Sequence, residues 1–184
     1  VGELGWELYI GSDMAQHAFD TLFEAGQGLG LKLCGMHAMD SCRIEKAFRH
    51  FGHDITAEDN VVDAGLGFAV DMSKSDFIGK AAVAARRESG PKARMVQFLL
   101  QDSAPLLYHN EPILRDGQIV GYLSSGGYGH SLGAAVGLGY VPCEGQSAAD
   151  VLASSYEIDV QGARVPAKAS LKPMYDPKSE RVRA

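Results

Sequence analysis

The segment Gly2-Glu3-Leu4-Gly5-Trp6-Glu7 carries the densest chemistry in the chain. Strand parity puts Glu3 and Glu7 on one face, with Gly5 between them lacking a side chain, so a flat ring can lie close to the backbone there. A carboxylate aimed at such a ring matches an amino-pyrimidinone edge, whose adjacent N–H and NH₂ donors make two parallel charge-assisted hydrogen bonds to it. Pterins present that edge. The competing reading is a pair of solvated glutamates on the open face of an edge strand.

The second polar concentration runs from Asp40 to Thr56, along a helix and its exit. Arg43 lies beside Met39 and Ala47 on its own helix face and looks elsewhere for a partner. It serves either an anionic ligand or an acid in a neighbouring sheet. His53-Asp54 reads as a turn capped by the aspartate rather than as an acid-base dyad, because sequence neighbours seldom orient one another for catalysis. Cys34, His37, Cys42, His50 and His53 lack the paired spacing of a zinc site, so no metal is assigned. Ser124-Ser125-Gly126-Gly127-Tyr128-Gly129-His130-Ser131 is read as a Gly-rich barrel loop with no helix behind it to hold phosphate. Tyr128 and His130 in it can reach a ligand where two lobes meet, or stand exposed at a loop tip.

These residues need elements to position them. Leu4, Trp6, Leu8 and Ile10 alternate with Glu3, Gly5, Glu7 and Tyr9, which predicts a strand. Ser12 is placed to cap a helix with Ala15, Phe19, Leu22 and Phe23 on its apolar stripe, closing near Gly28 and Gly30. A second helix is expected from about His37 to Phe51, burying Ile44, Ala47, Phe48 and Phe51, with Gly52 beyond its end. A short strand at 67–70 and an Ala-rich helix from Phe77 to Glu88 follow, the latter stopped by Ser89-Gly90-Pro91. Beyond it the period changes to two, at 95–100, 113–114, 119–124, 135–140, 156–160 and 164–169. Asp116-Gly117 and Gln161-Gly162 mark hairpins. So many antiparallel strands in a short stretch leave exposed edges unless they close into a small barrel. The fold class is therefore α+β: a truncated α/β lobe over residues 1–90, then an antiparallel β-barrel over residues 91–184.

The chain has 184 residues, of which 46% are hydrophobic and 22% charged, enough for a packed core. A formal net charge of −6 gives no basic face for nucleic acid. Three cysteines do not form a disulfide framework, and a reducing compartment fits. No apolar run approaches membrane-spanning length, so no membrane partner is expected. The chain opens at Val1 within what reads as a strand, which suggests a cut.

Three ordered stretches resemble the glycine cleavage T-protein family of folate-binding aminomethyltransferases. Gly2 to Glu7 resembles its G-E-x-G-aromatic-E motif, and Asp40 to Thr56 its D-S-x-R-[IL]-E and G-[HN]-D-I segments. Ala64 to Phe68, Gly121 to Gly126 and Gly137 to Val141 continue the resemblance along the whole chain. Glu45-Lys46-Ala47-Phe48-Arg49-His50-Phe51-Gly52-His53-Asp54-Ile55 looks closest to the C-terminal folate-binding region of dimethylglycine and sarcosine dehydrogenases or oxidases. Met39 stands where T-proteins tend to carry arginine, which also favours that branch.

The resemblance implies tetrahydrofolate as cofactor, with Glu7 on the pterin edge; Glu3, Gly5, Trp6, Arg43 and Tyr128 are the further candidate cofactor-binding residues. It implies that a methylated amine loses a one-carbon unit to a folate nitrogen in the parent enzyme. The family's activating aspartate belongs to the N-terminal half of the domain, so no catalytic residue is assigned within this chain. No G-x-G-x-x-G fingerprint occurs, so any FAD of the parent binds outside it. The isolated chain is expected to be inactive, to need the missing half as partner, and to self-associate through the surface left bare. A stand-alone aminomethyl- or methyltransferase and a non-catalytic folate-binding relative are the alternatives. Bacterial cytoplasm and mitochondrial matrix both fit.

Overall fold

The computed structural model describes residues 1–183. Its second half is a closed barrel of six strands: β1 (Ala93–Leu100), β2 (Pro112–Arg115), β3 (Gln118–Gly129), β4 (Ala134–Pro142), β5 (Tyr156–Val160) and β6 (Ala163–Ser170). Every pairing is antiparallel, and the order β1-β4-β3-β2-β5-β6 closes through β6 on β1, so no edge remains open. Asp116 and Gly117 join β2 to β3 with φ of 52° and 81°, and Gln161 and Gly162 join β5 to β6 with 55° and 88°. Positive φ at both central residues is what a type I′ hairpin demands.

Strand alternation sorts β1 into two cores. Val96, Phe98 and Leu100 point into the barrel with Ile113, Leu123 and Ile158, and Phe98 packs on Tyr156 with ring centroids 5.3 Å apart. Met95 and Leu99 point outward with Val136 and Leu138 of β4, onto Ile44 and Ala47. Inside the barrel, added methyls at Gly137 and Gly139 would come within 2.7 Å of Leu123 and 2.5 Å of Ile113, so these glycines make room for large neighbours.

Among the described residues four α-helices complete the fold: α1 (Ala15–Gly26), α2 (Met36–Glu45), α3 (Lys80–Ser89) and the short α4 (Ala148–Ala153). α1 begins after Met14, without a side-chain cap, so Ser12 does not serve as one. It passes through a 3₁₀ turn and ends at Gly30, whose φ of 76° is left-handed.

α2 stops at Glu45, short of the expected Phe51. Ala47 adopts φ 53°, with Phe48 N–H donating to Arg43 O (2.9 Å) and Ala47 N–H to Ile44 O (2.9 Å). These are the two hydrogen bonds of a Schellman stop. Alanine takes the place usually held by glycine because its methyl is buried against Ile44, Met95, Val136 and Leu138. Phe48 and Phe51 accordingly lie outside the helix and are exposed.

Three other expectations are corrected. Residues 4–10 form no strand, because no described strand pairs with them, and Leu4, Trp6 and Leu8 are exposed. Residues 67–69 make a 3₁₀ turn rather than a strand, again without a ladder partner. Ser124 to Gly129 is not a loop but part of β3, paired from Ser125↔Leu138 to Gly129↔Ala134.

Candidate functional site

The polar residues from Ser41 to Asp54 fasten α2 and its exit to the barrel. Ser41 Oγ donates to the carbonyl of Tyr128 on β3. Arg43, buried, donates through Nε to Asp40 (3.0 Å), through Nη1 to the Phe48 carbonyl (3.2 Å) and Asp54, and through Nη2 to Ser125 Oγ (2.9 Å). Asp54 is 2% exposed and accepts from Arg43, from the backbone N–H of His50 and from the hydroxyl of Ser124. Glu45 Oε1 accepts from the N–H groups of Ser131 (2.6 Å) and Leu132 (3.1 Å), which seats the end of α2 on the β3–β4 turn. Gln97 donates to the carbonyls of Ile44 and Glu45 and accepts from Met174 N–H, joining α2, β1 and the C-terminal tail. Lys46, 1% exposed, is held by the Gly2 carbonyl (2.6 Å) and Asp176 (3.0 Å). Each buried charge thus has a counter-charge or hydrogen-bond partners, the condition under which burial is tolerated.

Two adjoining hollows open where α2 meets β3, of about 220 and 250 Å³. Both are lined by His37, Asp40, Tyr108 and Gly126. The first adds Arg43, His50, His53, His109 and Ser124, the second Tyr128 and His130. The segment carrying Tyr108 lies directly on β3: an added methyl at Gly126 would stand 2.7 Å from Tyr108 N and 2.8 Å from Leu107 C. Tyr128 donates its hydroxyl to the Gly133 carbonyl (3.0 Å) and packs edge-on to His130 at 5.2 Å. His50 and His53 face each other with ring centroids 4.6 Å apart. Burial, with help from Glu45 and Glu3, raises the Cys42 thiol above its ordinary pKa. Among the described residues no three His, Cys, Asp or Glu side chains gather into a possible metal site.

Arg43 and Tyr128, named from the sequence, therefore come to one cleft. Arg43 does so as the buried bridge between Asp54 and β3. Glu3, Gly5, Trp6 and Glu7 line neither hollow and lie on the exposed N-terminal segment. Glu7 Oε2 accepts from the Tyr9 hydroxyl at 2.9 Å. A methyl at Gly5 would meet nothing nearer than the Glu3 carbonyl, 3.8 Å away, so the backbone there is open to a flat partner. Tyr108 and His109 carry no signal of a site in the sequence, and His37 enters there only as a rejected zinc ligand. Nothing in their local spacing connects residues some 70 positions apart.

Two family models match the chain in tandem: the glycine cleavage T-protein (GCVT) N-terminal domain over residues 1–74, and the glycine cleavage T-protein C-terminal barrel domain over residues 94–176. Among curated relatives, 4-methylaminobutanoate oxidase (formaldehyde-forming) of Paenarthrobacter nicotinovorans is 46% identical over all 184 residues, which span 22% of that protein. Mitochondrial sarcosine dehydrogenase of Homo sapiens is 34% identical, with 100% of this chain and 20% of that protein covered. The chain thus spans about a fifth of the length of these relatives. The glycine cleavage system aminomethyltransferase T of Bartonella henselae superposes with a TM-score of 0.75 at 24% identity, over 88% of this chain and 45% of its own, which shows a common fold. With both family domains matched in order and the barrel formed as that fold requires, the chain belongs to the glycine cleavage T-protein family.

Proposed function

We propose that this chain is the folate-binding portion of a larger one-carbon-transfer enzyme of the dimethylglycine or sarcosine dehydrogenase type. The observation that carries this reading is the exposed Gly2–Glu7 segment, with a carboxylate at Glu7 and open backbone at Gly5. Glu7 accepts one hydrogen bond, from Tyr9, and a carboxylate has room for several more. It can therefore take both donors of a pterin edge, while Gly5 lets the ring approach and Trp6, 89% exposed, offers an aromatic surface beside it. Tetrahydrofolate supplies the nitrogen that takes up the one-carbon unit. The chain's own part is binding and orientation, an effect that reaches roughly 7 to 11 kcal/mol when reactants are well aligned. In this reading the flavin and the activating aspartate lie outside these residues. Isolated, the chain then binds without turning over, and its exposed Trp6, Phe19 and Leu22 favour self-association.

The relative that is named as forming formaldehyde favours a second reading, in which the one-carbon unit leaves without capture. Calorimetric titration of the intact protein with tetrahydrofolate, in native and Glu7→Gln forms, separates the two. The folate reading expects binding that weakens about ten- to a hundredfold in the variant, as loss of a charged hydrogen bond gives. Absent binding, with formaldehyde accumulating during turnover, establishes the second reading instead.

A further inference from the structure

A separate cleft, of about 600 Å³, opens between the exit of α2, the turn at 65–68 and the C-terminal tail. It shares no residue with the hollows around His37. Its walls are apolar, with Phe48, Ile55 and Leu171 among them, and Phe68 stands 85% exposed at its side. Its volume falls within the range of small-molecule sites, roughly 300 to 1,000 Å³.

The charges in this cleft all have one sign. Lys46, Arg49 and Lys172 line it, and no acidic residue does. Lys46 is neutralised by Asp176. Arg49 is not: its Nε donates to the Ala64 carbonyl (3.0 Å) and its Nη1 to the Ala47 carbonyl (2.5 Å), and among the described residues no carboxylate comes within ion-pair distance of it. Lys172 likewise has no carboxylate partner among them. The Arg49 guanidinium is partly withdrawn from water, and that burial lowers its pKa from the ordinary arginine value. A partly desolvated cation with no carboxylate in ion-pair contact, and only the more distant Asp54 acting on it, favours an incoming anion. Gly65 keeps the approach clear, since a methyl there would stand 2.9 Å from Arg49 Nη2. On a protein of net charge −6 this is a local inversion of sign.

We infer that the cleft between Phe48, Phe68 and Arg49 binds a flat aromatic carboxylate. The ring rests on the two phenyl groups, and the carboxylate meets the planar guanidinium, with Lys172 at the rim. This site is independent of the folate reading, which places its ligand on the N-terminal segment.

The test is calorimetric titration of the 184-residue chain with 2-naphthoate and, in parallel, with the neutral 2-naphthalenemethanol. Naphthoate should bind more tightly than the alcohol. Arg49→Gln should weaken naphthoate about tenfold and Lys172→Gln about threefold, as loss of a close and of a rim charge does, with the alcohol unaffected by either. Phe68→Ala should weaken both probes. Arg49 also anchors two loop carbonyls, so its variant is compared with the native chain by thermal unfolding. If that variant is destabilised, Lys172→Gln and Phe68→Ala decide, because both change exposed side chains. Equal binding of the two probes, no binding of naphthoate at millimolar concentration, or indifference of naphthoate to both Lys172→Gln and Phe68→Ala would overturn the inference.

Discussion

The barrel and the first 42 residues are built from similarly apolar sequence and meet opposite fates. Each of the six barrel strands contributes at least one buried residue, and the interior side chains of β1 are fully covered. None of residues 1–42 is buried, although they include Leu4, Trp6, Leu8, Phe19 and Leu22. An amphipathic pattern specifies which face would be buried, but burial needs a second surface. The barrel supplies its own by closing on itself, and α2 finds one on the outside of β1 and β4. α1 has none in this chain; Phe19 and Phe23 stack on each other at 5.6 Å, which covers little of either.

The sharpest way to break this comparison is to truncate one phenylalanine in each region. Phe98→Ala empties a fully enclosed site and should cost about 3 to 5 kcal/mol in urea unfolding. Phe19→Ala removes a side chain that is 47% exposed and should stay within about 0.5 kcal/mol. Comparable losses would mean that α1 is packed against something, and the contrast would fall.

The junction between the two regions gives the next largest effect. Asp54→Ala removes the buried carboxylate from the Arg43 guanidinium, leaving it only the half-exposed Asp40, and also removes the acceptor for Ser124 and for His50 N–H. Breaking a buried pair from one side costs roughly 3 kcal/mol or more. His53→Ala, its exposed neighbour, should cost less than about 0.5 kcal/mol. Chemical unfolding of the two variants distinguishes a polar clamp from an acid-base pair, which would make His53 matter to activity and Asp54 only modestly to stability.

The barrel was legible because its signals are local: period two, Asp116-Gly117, and Gln161-Gly162 each act within a few residues. Asp54 as a cap was legible for the same reason. Its reach to Arg43 and Ser124 was not, since those contacts join residues 11 and 70 positions apart. The end of α2 differs from expectation because Ala47 turns left-handed under tertiary packing, whereas the sequence offers its first helix-stopping glycine at Gly52. The strand at 4–10 failed for lack of a ladder partner rather than for lack of pattern. Parity within that strand is what unites Glu3, Gly5 and Glu7, and without it they stand apart from Arg43 and Tyr128, which the barrel brings to one cleft. The capping box of Ser147 and Asp150 is a local signal of the same kind, absent from the expectations above.

That cap sharpens the comparison on its smallest scale. α4 has six residues against twelve in α1, yet it has both a reciprocal cap and the fully buried Val151, whereas α1 has neither. Short helices are marginal without such support. Ser147→Ala should therefore cost about 1 kcal/mol, the usual value of an N-cap. Its partner adds a pH signature. The Ser147 hydroxyl, followed by its backbone N–H, holds the Asp150 carboxyl below the ordinary aspartate value. A group whose folded pKa is depressed contributes stability that is complete above the unfolded value of about 3.9, and that is lost as pH falls through the folded value. The stability difference between the native chain and Asp150→Asn should thus be constant from neutral pH down to about 5 and shrink below about 4. Unfolding midpoints measured across that range check it, and a difference that persists undiminished at the lowest pH would show that packing of Val151, not the cap, holds α4 in place.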